Sequence, residues 1–165
     1  MAQPAKPQDR VNDFVIKLAN VNGTGSASAN TLLMKAIFRM GVPVMGKNYF
    51  PSNIQGLPTW YEVRVSERGW LGRRGGIDMM VAMNPQTWDQ DLREIESGGY
   101  LFYDSTRPLP PAKFRDDIHV IGMPLTEICN AVYSDPRQRQ LFKNIVYVGA
   151  LSVLLEIEPE VIEKL

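Results

Sequence analysis

The sequence predicts a layered α/β domain built on a mainly parallel β-sheet. Two observations carry this reading. Short apolar runs recur between segments whose apolar residues return every three or four positions. Most of the runs are predominantly apolar instead of strictly alternating, the pattern of strands covered on both faces by helices. A length of 165 residues suits one such domain with a substantial core.

Phe14–Ala19 reads as a buried first strand. After it comes VNGTGSASAN at 21–30, and then a one-sided helical stripe of Ala29, Leu32, Leu33, Ala36, Ile37 and Met40. Ser26 or Ser28 is the expected cap, and Gly41 ends the helix. A strand, a glycine turn and a helix in this order leave the backbone N–H groups of Gly23, Thr24, Gly25 and Ser26 free. Such a terminus attracts phosphate or another anion. The spacing lacks the third glycine of a dinucleotide fingerprint and the Gly-Lys-Ser/Thr of a P-loop. A ligand turn and a purely structural turn both fit it.

Val42–Val44 reads as a short second strand, and Pro43 within it argues for the first residues of a strand or for an edge. Residues 46–60 have no period; two prolines, two glycines and three aromatics suit either a contact surface or a loop pinned by tucked-in rings. Trp60–Val65 is a strand, Ser66–Gly76 a basic glycine-rich turn, and Ile77–Met83 a central strand closed by Asn84-Pro85. A helix is expected from Thr87 through Glu96, stopped by Gly98-Gly99. Strands follow at Tyr100–Tyr103 and Ile118–Ile121, then a short helix at Leu125–Val132. Pro136 opens a long helix, apolar nearly all round from Ile145 to Leu155. It is expected to be buried on both sides, with Gly149 marking the approach of another backbone. Pro159 starts a last helix signal that runs to Leu165.

Eighteen basic residues balance eighteen acidic ones, so no net field draws nucleic acid or an anionic membrane. A single cysteine, Cys129, leaves no intramolecular disulfide and no Cys-x-x-Cys cluster site. Residues 1–12 read as a flexible leader without a signal-peptide core, and no apolar run is long enough to span a membrane. Arg73 and Arg74 lie between Gly72 and Gly75-Gly76. Their planar forks suit a phosphorylated cofactor or a salt bridge to another chain. Asp78, inside an apolar strand, needs a partner such as Arg73 or Arg74. Arg64 and Arg68 read as solvated strand-end charges, and Asp116-Asp117 as turn charges. The lone His119 reads as a hydrogen-bonded structural residue and Cys129 as a core thiol. Ser26, Ser28 and Ser52 lack the setting of a hydrolase nucleophile. No catalytic residue and no metal ligand is assigned.

Three segments together carry a resemblance: GTGSASAN at 23–30, FPSNIQGLPTWY at 50–61, and LGRRGG at 71–76 with MVAMN at 80–84. They resemble the gamma-type domain of the 2-oxoacid:ferredoxin oxidoreductases. The likeness is to the amino-terminal part of 2-oxoglutarate-type alpha subunits, in which gamma and alpha regions are fused. It implies a Rossmann-like three-layer domain over residues 13–165. It also implies a complex that decarboxylates a 2-oxoacid on thiamine diphosphate with Mg2+, passes electrons through [4Fe-4S] clusters to ferredoxin, and releases an acyl-CoA. This chain is expected to hold none of these cofactors alone. Its implied partners are the alpha- and beta-type subunits, with ferredoxin reached through the complex, in the cytoplasm. Gly23, Thr24, Gly25, Ser26, Arg73, Arg74, Gly75 and Gly76 are the residues expected to face CoA phosphate or a neighbouring subunit. Family members continue beyond the Pro159 signal, so a fragment or a separately encoded subunit is expected, inactive by itself. An independent CoA- or nucleotide-binding module, or a purely structural assembly subunit, is the alternative.

Overall fold

A computed structural model describes residues 11–49 and 54–165. Most of the leader, and the Phe50–Asn53 part of the aperiodic stretch with Ser52, lie outside the described residues. The chain runs β1 (Asp13–Val21), α1 (Ser26–Arg39), β2 (Val44–Tyr49), β3 (Pro58–Ser66), β4 (Ile77–Ala82) and α2 (Trp88–Glu94). It continues through β5 (Ile95–Asp104), β6 (His119–Met123), α3 (Leu125–Val132), α4 (Pro136–Leu154) and α5 (Pro159–Glu163).

One six-stranded sheet has the order β2-β3-β1-β4-β5-β6. Strands β1, β4, β5 and β6 are parallel, while β3 is antiparallel to β1 and β2 to β3. The sheet is therefore largely parallel, with an antiparallel pair at one edge. Successive side chains of a strand point to opposite faces. Ile16 and Leu18 accordingly pack with Leu33 of α1 and with Tyr147 and Leu151 of α4. Val15 and Ala19 instead join Met80, Leu101 and the α2 residues Trp88 and Leu92. This is the expected three-layer arrangement. Each large side chain buried in it contributes about 1.5–3 kcal/mol.

Several sequence expectations are corrected. Gly25, at φ 79°, stands at the N-cap of α1 without a side-chain cap bond; Ser26 is already helical. Strand β2 runs on to Tyr49, so residues 46–60 hold the ends of two strands and not one irregular loop. Helix α2 ends at Glu94, because Ile95 turns extended and pairs with Ile77. Gly98-Gly99 does not stop a helix; it lies inside β5, where the register against β4 shifts. Helix α4 is buried on one side only within this chain, with Leu141, Ile145 and Val153 exposed. A Cβ added at Gly149 would meet nothing within 4 Å among the described residues, so none of their backbone approaches there.

From β1 the chain passes to α1 on one face, and from β4 to α2 on the other. The winding thus reverses between two neighbouring strands. Sheets of this class open a ligand crevice beyond the carboxyl ends of such a pair.

Candidate functional site

The turn Asn22–Gly25 lies at the carboxyl end of β1, on the rim of that crevice. Asn22 exchanges backbone hydrogen bonds with Leu57 and Gly56, and further contacts hold the turn and the helix that follows it. The Thr24 hydroxyl donates to the Val21 carbonyl at 2.8 Å. Asn144 of α4 donates through Nδ2 to the Thr24 carbonyl at 2.7 Å. One turn further along α4, the Tyr147 hydroxyl donates to Asn30 Oδ1 of α1 at 2.8 Å. Gly25 then enters α1 in the left-handed conformation, which costs a residue with a Cβ about 1–2 kcal/mol. The first turn of α1 carries no acidic residue, so no side chain of the helix neutralises its positive end.

A pocket of about 200 Å³ adjoins this turn, lined by Gly23, Gly25, Ala27, Asn48, Thr59 and Trp60. It has room for one end of a large ligand and not for the whole of it. Two buried amides flank the crevice. Asn20 on β1 is 3% exposed and Asn84, just past β4, is 1% exposed. Neither Asn20 Oδ1 nor Asn84 Nδ2 has a hydrogen-bond partner among the described residues. An unmet buried polar atom costs about 1–3 kcal/mol, so two of them at a switch point mark a polar site. Residue spacing in the sequence carries no signal for Asn20, Asn84 or Asn144.

The second group of expected site residues is elsewhere. Ser66 pairs with Asp13, so the turn after β3 leaves from the amino edge of β1 and returns there to start β4. Arg74 is ion-paired with Asp78, whose Oδ2 also accepts the Val15 N–H at 2.8 Å. Arg74 also lies 3.7 Å from Asp13, which pairs at 2.6 Å with Arg64. The partner expected for Asp78 is thus found within the chain. Arg64 is buried, at 7% exposure, and is not a solvated strand-end charge. Arg73 turns away, its guanidinium 5.8 Å from the centre of the Tyr49 ring. A Cβ added at Gly75 would meet nothing within 4 Å among the described residues, whereas one on Gly76 would strike the Glu96 carboxylate. The structure therefore brings Gly23, Thr24, Gly25 and Ser26 together, and leaves the loop of Arg74, Gly75 and Gly76 at the opposite edge.

His119 stacks on Tyr100 with ring centres 4.8 Å apart, and Cys129 is buried. Burial pushes the Cys129 thiol pKa up, which suits the expected core role. Among the described residues, no group of three or more His, Cys, Asp or Glu side chains is placed to hold a metal ion.

Asp91 is a further buried carboxylate. It accepts from Trp60 Nε1 at 2.9 Å and from the Thr87 hydroxyl at 2.6 Å, tying the pocket-lining indole to α2. Burial is the main force on it and pushes its pKa above the ordinary 3.8, against the pull of those two donors. A carboxyl whose pKa rises on folding adds stability below its unfolded value, and loses it as pH climbs through the folded value. Asp91→Asn removes that loss. The urea midpoint of the variant, measured against the native chain from below pH 3.8 to neutrality, is expected to shift steadily in the variant's favour.

Comparison with known proteins now decides the family. The family model described as pyruvate ferredoxin/flavodoxin oxidoreductase matches residues 15–165. The chain belongs to this family. Within it, the chain is a gamma-type domain. It is 26% identical over 92 residues to 2-oxoacid:ferredoxin oxidoreductase 2, subunit alpha, of Aeropyrum pernix, a match covering 56% of this chain and 14% of that subunit. It is 24% identical over 150 residues to 2-oxoglutarate synthase subunit KorC of Archaeoglobus fulgidus, covering 90% of this chain and 74% of KorC. The structure of 2-oxoglutarate:ferredoxin oxidoreductase from Magnetococcus marinus, with 2-oxoglutarate, coenzyme A and succinyl-CoA bound, superposes with a TM-score of 0.81 at 25% identity. That superposition covers 93% of this gamma-type domain and 26% of the Magnetococcus chain. No helix among the described residues of the domain is long and apolar enough to cross a membrane.

Proposed function

We propose that this gamma-type domain works inside a cytoplasmic 2-oxoacid:ferredoxin oxidoreductase complex, beside alpha- and beta-type subunits, as the wall that receives CoA. In this reading the complex oxidises a 2-oxoacid to an acyl-CoA on thiamine diphosphate and Mg2+, passing electrons through [4Fe-4S] clusters to ferredoxin. Those groups belong to other domains, and the chain by itself turns nothing over. One observation carries the reading: the bare positive end of α1, with Gly25 at its cap, opens at the carboxyl edge where the winding reverses. A phosphate of CoA fits the chemistry of that terminus. The small pocket beside it suits one end of the molecule, the rest lying against neighbouring chains.

The same edge supports an assembly role. Leu141 of α4 lies beside Gly25, and with Ile145 it leaves an apolar strip exposed next to the turn. A partner subunit covering the strip would also close the CoA entrance. Arg74, Gly75 and Gly76 sit at the other edge and so meet a neighbouring subunit and not the same CoA, whereas the Arg73 guanidinium reaches Tyr49, which pairs with the pocket-lining Trp60.

The test is Ala27→Asp in the assembled complex. Ala27 is exposed in the first turn of α1 and lines the small pocket, and an acidic residue there favours the helix. The new charge occupies the place of the phosphate. The KM for CoA is expected to rise about tenfold, equivalent to about 1.4 kcal/mol, with the KM for the 2-oxoacid unchanged. An unchanged KM for CoA in an intact complex would remove the turn from the CoA route.

A further inference from the structure

A cavity of about 600 Å³ opens at the amino edge of the sheet, away from the glycine turn. Its volume falls within the range of small-molecule sites, roughly 300–1,000 Å³. Phe14 of β1, Met79 of β4, Ile37 and Met40 at the end of α1, and Leu155 after α4 give it an apolar lining. Glu96 and Glu156 also line it, and both are exposed, so they stand at its rim. Asp78 reaches the cavity too, but its charge is met by Arg74. Among the described residues, no lysine, arginine or histidine lines this space, and neither Glu96 nor Glu156 has an ion-pair partner.

The backbone adds an independent observation. Only two non-glycine residues of the described chain have positive φ, Asn12 at 54° and Glu156 at 55°, and both line this cavity. Such conformations cost about 1–3 kcal/mol each and collect where a ligand is clamped. Glu156 terminates α4. Its N–H donates to the Val153 carbonyl at 3.2 Å, and the Ile157 N–H reaches back to the Ser152 carbonyl at 2.8 Å. Glycine is the usual residue at such a helix end. Glycine would remove the strain, and it would also remove a carboxylate from the rim.

We propose that this cavity binds an amphipathic organic cation. The apolar body lies among Phe14, Ile37, Met40 and Leu155, and the cationic head sits between Glu96 and Glu156. The two carboxylates, with no ion-pair partner among the described residues, disfavour an anionic head, and an uncharged ligand would draw nothing from them.

The experiment is calorimetric titration of the full chain with three probes of one tail: octyltrimethylammonium, octyl glucoside and octyl sulfonate. The ammonium probe is expected to bind about tenfold tighter than the glucoside, with the sulfonate weakest. Glu96→Gln with Glu156→Gln should bring the ammonium probe down to the level of the glucoside. Both side chains are exposed, so an unchanged urea midpoint checks that the double variant is folded. Glu156→Gly separates the two costs: it should weaken the ammonium probe and raise the urea midpoint. Equal affinity for the three heads, no binding of any probe, or ammonium affinity that survives the double glutamine variant would each overturn the proposal. None of these outcomes depends on CoA, so they leave the reading of the glycine turn untouched.

Discussion

Tyr147→Ala is expected to lower the unfolding free energy by about 3–5 kcal/mol, the cost of emptying a large aromatic site. The ring is fully buried between α4 and the sheet, in the same cluster as Ile16, Leu18 and Leu33. Its loss also leaves Asn30 Oδ1 without its donor, and Asn30 is itself 3% exposed. Tyr147→Phe isolates that second effect. It keeps the ring and removes only the hydroxyl, for an expected loss of about 1–3 kcal/mol. Burial holds the phenol well above its ordinary pKa of 10.0, so the hydroxyl remains a neutral donor through the whole working pH range. Urea denaturation at neutral pH measures both variants. A loss below about 1 kcal/mol for Tyr147→Ala would contradict the packing described between α4 and α1.

Gly99→Ala is the second large effect, and its origin is different. An added Cβ would lie 2.8 Å from the Asp78 carbonyl oxygen and 2.8 Å from that of Glu96. Both obstacles are backbone, so neither can swing aside as a side chain would. The pairing of β4 with β5 must therefore open where its register already shifts. The expected cost is about 1–3 kcal/mol, toward the upper end because the strain falls in the central sheet. Gly75→Ala, where an added Cβ meets nothing within 4 Å among the described residues, serves as the control and should fall within about 1 kcal/mol of the native chain. A Gly99→Ala chain as stable as that control would mean that β5 does not enter the sheet in this register.

How much of this was legible in the sequence follows from where each constraint is stored. Strands β1 and β4 announce themselves because both of their faces are buried, which makes their runs mostly apolar, and β3 announces itself by its alternation from Trp60 to Val65. Edge strand β2 is exposed over half its residues and carries Gly46, Lys47 and Asn48, so its period is lost in what looks like loop composition. Around Glu94–Glu96 the local preference is helical, but pairing of Ile95 with Ile77 decides the outcome. No window centred on residue 95 contains residue 77. The burial of Arg64 is hidden for a related reason: strand position alone does not tell that the face beneath it is closed by Asp13 and the turn after β3.

The candidate site divides in the same way. The glycine turn is a local strand-to-helix signal, and Gly23 to Ser26 join β1 to α1 at the carboxyl end of β1. The pairing of Asp78 with Arg74 is also local, four residues apart. That the two glycine-rich turns leave opposite edges depends on β3 running antiparallel to β1, which only the sheet order reveals. Asn20, Asn84 and Asn144 gain meaning only once β1, β4 and α4 are side by side.

The clasp on the glycine turn also sets a folding order. Asn144 and Thr24 are 120 residues apart in sequence, and Tyr147 and Asn30 are 117 apart. Closing loops of that length delays both bonds until late in assembly, since the entropy of closure comes before any reward from the contact. On the ribosome, β1 and α1 emerge well before the segment that locks the turn between them. The turn therefore stays pliable in a nascent chain, and hardens only when α4 docks.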